Sequence, residues 1–203
     1  HHDWFEGRWP GCVLMGYIDD ATGKAYARFY DYEGTKPAFD SFNRYARKYG
    51  IPVSVYLDKH TTYKSPKKAE FPVYDEEPLS EFERAMKELG VKVIHAHSPQ
   101  AKGRVERLFR TFQDRLVKEM RLRGIKTAEE ANRFLAEYLQ KYNRKFAIKP
   151  KAKSDLHRKV PRGLKLDNIL CIKEERVLRN DFTISYKGKL YQITESIKAQ
   201  KVT

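Results

Sequence analysis

Along the first sixty positions the apolar residues come in short continuous runs of strand length. Residues 12–18 form one run and residues 25–32 another, rich in aromatics, with Asp19-Asp20-Ala21-Thr22-Gly23 as turn chemistry between them. The pattern predicts a hairpin. A second turn at residues 6–11 makes residues 2–5 the end of a preceding strand. From residue 38 the spacing becomes helical: Ala38, Phe42, Tyr45 and Ala46 share a face, and Gly50 stops it. Residues 52–57 are an apolar run ending at Asp58, which predicts a strand covered on both faces, as in a parallel sheet. Residues 59–78 are polar, with several Lys and Pro, and read as an exposed loop.

Ser80 and Glu83 have the spacing of a capping box and open a helix that runs to Gly90. Residues 91–94 form a short strand. Ser98-Pro99 then starts a long helix, with proline suited to its first turn, whose core-facing stripe is Val105, Leu108, Phe112, Leu116 and Met120. Gly124 ends it, and Thr127 with Glu130 caps a further helix that continues to about residue 146. Residues 147–163 hold Lys, Pro and Arg with little apolar content, as a basic linker or arm would. Beyond them, residues 169–172, 182–186 and 190–193 are strand-like, with Lys187-Gly188 as a turn, which predicts the start of a small β domain. No internal repeat is visible.

Composition narrows the class. With 203 residues, 40% apolar and 13% aromatic, the chain buries one substantial core and begins a second small domain; it is not a disordered basic tail. A net charge of +14, from 41 Lys and Arg against 27 Asp and Glu, favours an anionic partner, and nucleic acid leads over a surface kept basic for solubility. No apolar run approaches the ~20 residues of a membrane span, and no signal peptide is visible. A membrane partner is therefore not expected. Cys12 and Cys171 stand far apart without a Cys-x-x-Cys pair, so reduced, packed thiols and an intracellular setting are expected.

The candidate chemistry rests on two carboxylates. Asp58 sits at a strand tip, and Glu106 lies in the first turns of a helix that carries, between Lys102 and Lys126, nine Lys or Arg against three acids. Lys102 lies one turn before Glu106 and Arg110 one turn after it. An isolated Glu among such cations reads most simply as a surface acid in an ion pair. Two acids amid cations also suit a site that holds divalent metal while its surroundings hold a polyanion, which is what phosphodiester chemistry requires. Gly103 would let the helix backbone approach the sheet or a nucleic acid. Asp19 and Asp20 read as turn formers, and His60, His95 and His97 as structural, with no Cys pair to complete a zinc set. Trp4, Trp9 and Tyr63 suit core packing more often than base stacking. Lys64, Lys67, Lys68 and the arm at 149–162 are phosphate contacts or plain solvated charge.

The stretch Ser98-Pro99-Gln100-Ala101-Lys102-Gly103-Arg104-Val105-Glu106-Arg107 resembles the third-carboxylate signature of the retroviral integrase superfamily, as found in bacterial insertion-sequence transposases. Asp19-Asp20-Ala21-Thr22-Gly23 is similar to the turn after the second strand of those enzymes, and Tyr56-Leu57-Asp58-Lys59-His60 to the strand end bearing their second catalytic Asp. The stretch Arg179-Asn180-Asp181-Phe182-Thr183-Ile184, with Gly188, Tyr191 and Gln192, resembles the small β domain that follows their core. The resemblance implies an α/β fold: a ribonuclease H-like mixed sheet flanked by helices, followed by the start of a small all-β domain. Residues 1–146 would be an integrase-like catalytic core with C-terminal helices, 147–163 a basic linker, and 164–203 a partial small β-barrel-like domain.

It further implies a polynucleotidyl transferase of the Asp-Asp-Glu class, performing metal-dependent cleavage at transposon ends and strand transfer into target DNA. Asp58 and Glu106 would be catalytic and metal-binding, with two Mg²⁺ (or Mn²⁺) ions, and Lys102, Arg104, Arg107 and Arg110 would bind DNA. A homo-oligomer on DNA, associated with the nucleoid in a bacterial cytoplasm, is the implied setting. Two departures stand out. The segment from Asp58 to Glu106 is longer than usual in the superfamily, which the Lys-rich loop at 64–78 accounts for as an insertion. The first catalytic Asp is expected immediately upstream of His1, with Asp3 as the in-chain substitute. The alternatives are a catalytically incomplete DNA-binding module derived from a transposase, or a nuclease of the same fold acting on structured nucleic acid.

Overall fold

The computed structural model describes residues 2–57, 80–95, 99–194 and 201–202. Strands β1 (Val13–Ile18) and β2 (Ala25–Tyr30) pair antiparallel, with Leu14 opposite Phe29 and Ile18 opposite Ala25. Asp19 builds their connection as the sequence predicts: its carboxylate accepts hydrogen bonds from the backbone N–H groups of Ala21 and Thr22 and from the Thr22 hydroxyl. Gly23 takes φ 68°, open to glycine without strain. Upstream, the strand end expected at residues 2–5 is replaced by a turn. Asp3 accepts from the N–H of Phe5 at 3.1 Å and of Gly7 at 2.8 Å, so a local carboxylate takes the donors that a strand ladder would need. The turn buries Trp4 and Phe5.

The pleat sends neighbouring β1 side chains to opposite faces, and each face has its own apolar cluster. Leu14 joins Leu108, Phe112, Leu116 and Met120 of α3 (Pro99–Leu122) and Ala131, Leu135 and Leu139 of α4 (Ala128–Phe146). Met15 joins Ala38, Phe39, Phe42 and Ala46 of α1 (Thr35–Tyr49), Leu57 of β3 (Ser54–Leu57) and Phe82, Ala85 and Met86 of α2 (Glu81–Glu88). Strand β4 (Lys92–His95) runs parallel to β3, with Leu57 opposite His95. The architecture is mixed α/β, with helices on both faces of the hairpin. Both expected capping boxes form, Ser80 with Glu83 and Thr127 with Glu130.

Two long-range devices place α3 and α4. The Asn143 amide accepts from the N–H of Ala25 at 2.7 Å and donates to the carbonyl of Ala25 at 2.9 Å; Asn132 does the same with Phe29 at 2.8 and 3.0 Å. Helix α4 thus satisfies backbone groups along the edge of β2 that another strand would otherwise pair. Helix α3 comes close at Gly16 in β1, where an added Cβ would stand 3.1 Å from the Phe109 ring. The close approach expected of Gly103 is absent on the sheet side: among the described residues, a Cβ there meets no atom within 4 Å.

Residues 147–163, expected as a basic linker, include Arg158, which forms a β-bridge with Ile51 and donates to the carbonyls of Leu89 and Gly90. The strand expected at 169–172 is corrected. Helix α5 (Leu166–Ile169) occupies its start, because Leu166 and Leu170, four residues apart, both enter the second cluster. Arg84 then takes the carbonyls of Ile169 and Cys171 that a ladder would have used. One compact unit runs to Cys171 and a second begins at Ile172. In the second, β5 (Arg176–Val177) pairs with β8 (Lys201–Val202) and β6 (Thr183–Tyr186) with β7 (Lys189–Gln192), both antiparallel. Lys187 and Gly188, at φ 48° and 76°, make the predicted two-residue turn. Among the described residues, no helix is long and apolar enough to cross a membrane.

Candidate functional site

The roll of α3 decides what it presents. Its stripe at Leu108, Phe112, Leu116 and Met120 is fully buried, which turns Arg104, Glu106, Arg107 and Arg110 toward solvent. Arg107 and Arg110 form no ion pair among the described residues, so two cations stand one and four positions beyond the exposed Glu106 carboxylate. Arg104 is engaged elsewhere. Its guanidinium reaches the Asp20 carboxylate at 2.5 Å and the Asp20 carbonyl, across 84 residues of sequence. Asp20, read as a turn former, is therefore the acceptor of a long-range pair. With side chains 49% and 71% exposed, the pair is a surface one, contributing about 0–1 kcal/mol. An exposed pair of this kind holds weakly against a competing anion. Asp58 and the side chain of Lys102 lie outside the described residues, as do His60, Tyr63, Lys64, Lys67, Lys68 and His97.

Leu57 is paired with His95, so the parallel strands β3 and β4 leave the sheet at the same end, one directly into Asp58 and the other toward Pro99 at the start of α3. Glu106 stands seven residues into that helix, roughly 10 Å along its axis. Among the described residues no three His, Cys, Asp or Glu side chains gather as a metal site. Asp58 and Glu106, the two residues expected as metal ligands, are both hard carboxylates, the ligand type that Mg²⁺ prefers.

Among the described residues, the lesser candidates make local structural contacts. Both oxygens of Asp3 are occupied by the turn N–H groups. His95 Nε2 lies 2.9 Å from Glu83, whose other oxygen completes the Ser80 capping box. Trp4 is buried edge-on against Phe29, and Trp9 packs against the first cluster. Burial pushes the Cys12 thiol up to about 11, with Asp31 and Asp3 adding to the shift, which leaves no thiolate nucleophile near neutral pH. Sequence reasoning missed the two asparagines on α4. Their signal was faint: polar residues of low helix propensity inside an otherwise well-formed helix.

Residues 87–145 match the family model described as "Integrase core domain". The chain is 39% identical over 199 residues to y4bF of Sinorhizobium fredii (strain NBRC 101917 / NGR234), a protein that carries the name of a transposase; the match covers 96% of this chain and 42% of that one. It is 32% identical over 200 residues to the transposase for insertion sequence IS1202 of Streptococcus pneumoniae, covering 97% of this chain and 42% of that one. The chain thus spans less than half the length of these relatives. Among solved structures, a chain in the cryo-EM structure of the simian T-cell lymphotropic virus intasome in complex with PP2A regulatory subunit B56 gamma shares the fold. The TM-score is 0.50 at 14% identity, over 93% of this chain and 59% of that one.

Proposed function

We propose that this chain, which belongs to the insertion-sequence transposases of the integrase superfamily, is the catalytic core of a DNA transposase that cuts transposon ends and joins them to target DNA. The observation that carries the reading is Glu106, held outward on α3 by the buried stripe beneath it and flanked by Arg107 and Arg110. The common exit of β3 and β4 supports a ribonuclease H-like arrangement, in which Asp58 and Glu106 converge from a strand tip and the facing helix. These two carboxylates, with a first Asp, would hold two Mg²⁺ or Mn²⁺ ions. When bound, such ions supply the positive charge that stabilises the attacking and leaving oxygens of a phosphodiester.

The chain's own cations have a separate task. Arg107 and Arg110, joined by Lys102 and by Arg104 once it exchanges Asp20 for phosphate, hold the DNA backbone in place. Phosphate contacts of this kind fix register and carry little sequence information. Handling two transposon ends together calls for a homo-oligomer on DNA. The second compact unit, from Ile172, would be the small β domain. A catalytically incomplete DNA-binding module is the second reading, favoured by the commitment of both Asp3 oxygens to a turn.

Glu106→Gln separates the two. In the enzyme, Mg²⁺-dependent joining of a pre-cut transposon end to plasmid DNA falls by about 100-fold or more, while duplex binding in EDTA stays within about twofold. Joining at the unmodified rate in that variant removes Glu106 from the reaction and with it the proposal. A chain that binds duplex but never joins, even when supplied with its upstream residues, is the module.

A further inference from the structure

The C-terminal half of α3 and the length of α4 enclose a groove of about 370 Å³ that the proposed active site does not use. Its floor is a row of rings on α4 at every fourth position: Phe134, Tyr138, Tyr142 and Phe146. Neighbouring rings are 5.8, 6.5 and 4.8 Å apart along the row, and Tyr138 and Tyr142 lie within 28° of parallel. The row flanks the buried stripe of Ala131, Leu135 and Leu139 and remains partly open to solvent; Phe146 is 39% exposed.

Cations line the rim. Arg123 lies over Phe134 at 4.5 Å, and Arg115 and Lys145 approach Phe146 at 5.7 and 5.6 Å. Lys118 and Lys141 complete the set, while Glu119 is the one lining acid. The acids within reach, Asp114, Glu119 and Glu137, pair with Lys118, Arg123 and Lys141 as exposed contacts four residues apart, which hold weakly against a competing anion. Arg115 and Lys145 form no ion pair among the described residues. Five cations over an aromatic floor fit a polyanion that also has flat apolar faces. A second copy of this chain, itself at +14, would set positive charge against positive charge. A duplex hides its base faces and leaves the rings unused. Burial raises the Tyr138 hydroxyl to about 12 and also raises that of Tyr142, so both remain hydrogen-bond donors near neutral pH.

We propose that this groove binds a single strand of DNA, with phosphates on Arg115, Lys118, Lys141 and Lys145 and unpaired bases against Tyr142 and Phe146. Its α3 side lies nine to thirteen residues along the helix from Glu106, roughly 14–20 Å, so it is a surface separate from the proposed reaction centre and goes beyond the function proposed above. The chemistry is that of sequence-tolerant single-strand binding, stacking combined with a basic rim.

The test is fluorescence anisotropy with the full chain in EDTA, using a labelled thymidine oligonucleotide of about 15 nucleotides and, in parallel, a blunt duplex. Tyr142→Ala with Phe146→Ala weakens single-strand binding about 5- to 100-fold and leaves duplex binding within about twofold. Phe146→Ala alone, at a ring 39% exposed, still weakens it about fivefold or more. Arg115→Gln with Lys145→Gln lowers the single-strand salt slope by about 1.4. Wild-type single-strand affinity in both the Phe146 and the Arg115–Lys145 variants overturns the proposal, as does duplex affinity that falls in step. Glu106→Gln leaves the single-strand signal intact, so failure of the groove and failure of the joining reaction register in different assays.

Discussion

Helices α3 and α4 enter the same apolar cluster, yet they direct their polar side chains in opposite ways. On α4, Asn132 and Asn143 turn inward and clasp the backbone of β2, each through two hydrogen bonds. On α3, among the described residues, no side chain bonds to the backbone of β1 or β2; the helix meets those strands through its apolar stripe and through Phe109 against Gly16, while Arg104 and Arg121 reach Asp20 and Glu6 at the surface. The difference is instructive. A helix that meets its strands through apolar contacts, and adds only the exposed pairs of Arg104 with Asp20 and Arg121 with Glu6, keeps its other outward polar groups available for a ligand, whereas α4 commits part of its polar set to closing a sheet edge. The fold's anchor and its candidate chemistry therefore sit on neighbouring helices with separate requirements.

Phe112→Ala should break that division most severely. Phe112 is fully buried on α3, with Tyr138 and Tyr142 of α4 edge-on against it. Its removal should cost about 3–5 kcal/mol in urea unfolding, with both helices lost together. Asn143→Ala should cost about 1–3 kcal/mol, because the N–H and carbonyl of Ala25 lose their partner. A cost under a few tenths would mean that water replaces the amide and that the clasp is incidental.

Alkaline pH probes the same layer. Cys12 and Tyr138 belong to or pack on the first cluster, and burial raises them from ordinary values of 9.0 and 10.0 to about 11 and about 12. The folded chain thus holds these protons more tightly than the unfolded chain. The stability they contribute is complete below about pH 9 and declines as pH rises toward 12. Tyr138→Phe should flatten that decline between pH 10 and 12, read as the pH dependence of the urea midpoint; an unchanged profile would exclude Tyr138 as a contributor. The smallest effect on stability is expected for Arg107→Gln with Arg110→Gln, within about 0.5 kcal/mol. The same pair should lower the duplex salt slope by about 1.8, and a slope equal to wild type would show that these exposed cations do not meet phosphate.

Much of this organisation was legible in the chain. The stripe at Leu108, Phe112, Leu116 and Met120, the two capping boxes and the Asp19 turn depend on residues within a few positions of one another and appear as expected, with Val105, the first residue expected in the stripe, only partly buried. Where reading failed, a partner distant in sequence or an unrecognised local carboxylate had intervened. Asp3 folds residues 4–7 into a turn. Arg84 draws residues 169–171 onto α2, so an apolar run that reads as a strand becomes a helical cap on the second cluster. Gly16, not Gly103, marks the close helix approach, because the place where α3 meets the sheet is set by the roll of the whole helix. Of the candidate site, the block around Glu106 was visible as motif and charge. The engagement of Arg104 by Asp20 was not.

From the amino-acid order alone came the periods, the caps, the basic balance and the two acids, since each is a matter of short-range spacing or of simple counting. Only the tertiary structure decided which cations stay outward, which strand ends exit together and that α4 seals β2. Asn132 meets Phe29 across 103 residues and Arg104 meets Asp20 across 84, and contacts of that span exist only once helices and sheet have packed. Their energies are those of ordinary hydrogen bonds and surface pairs; their placement belongs to the assembled fold.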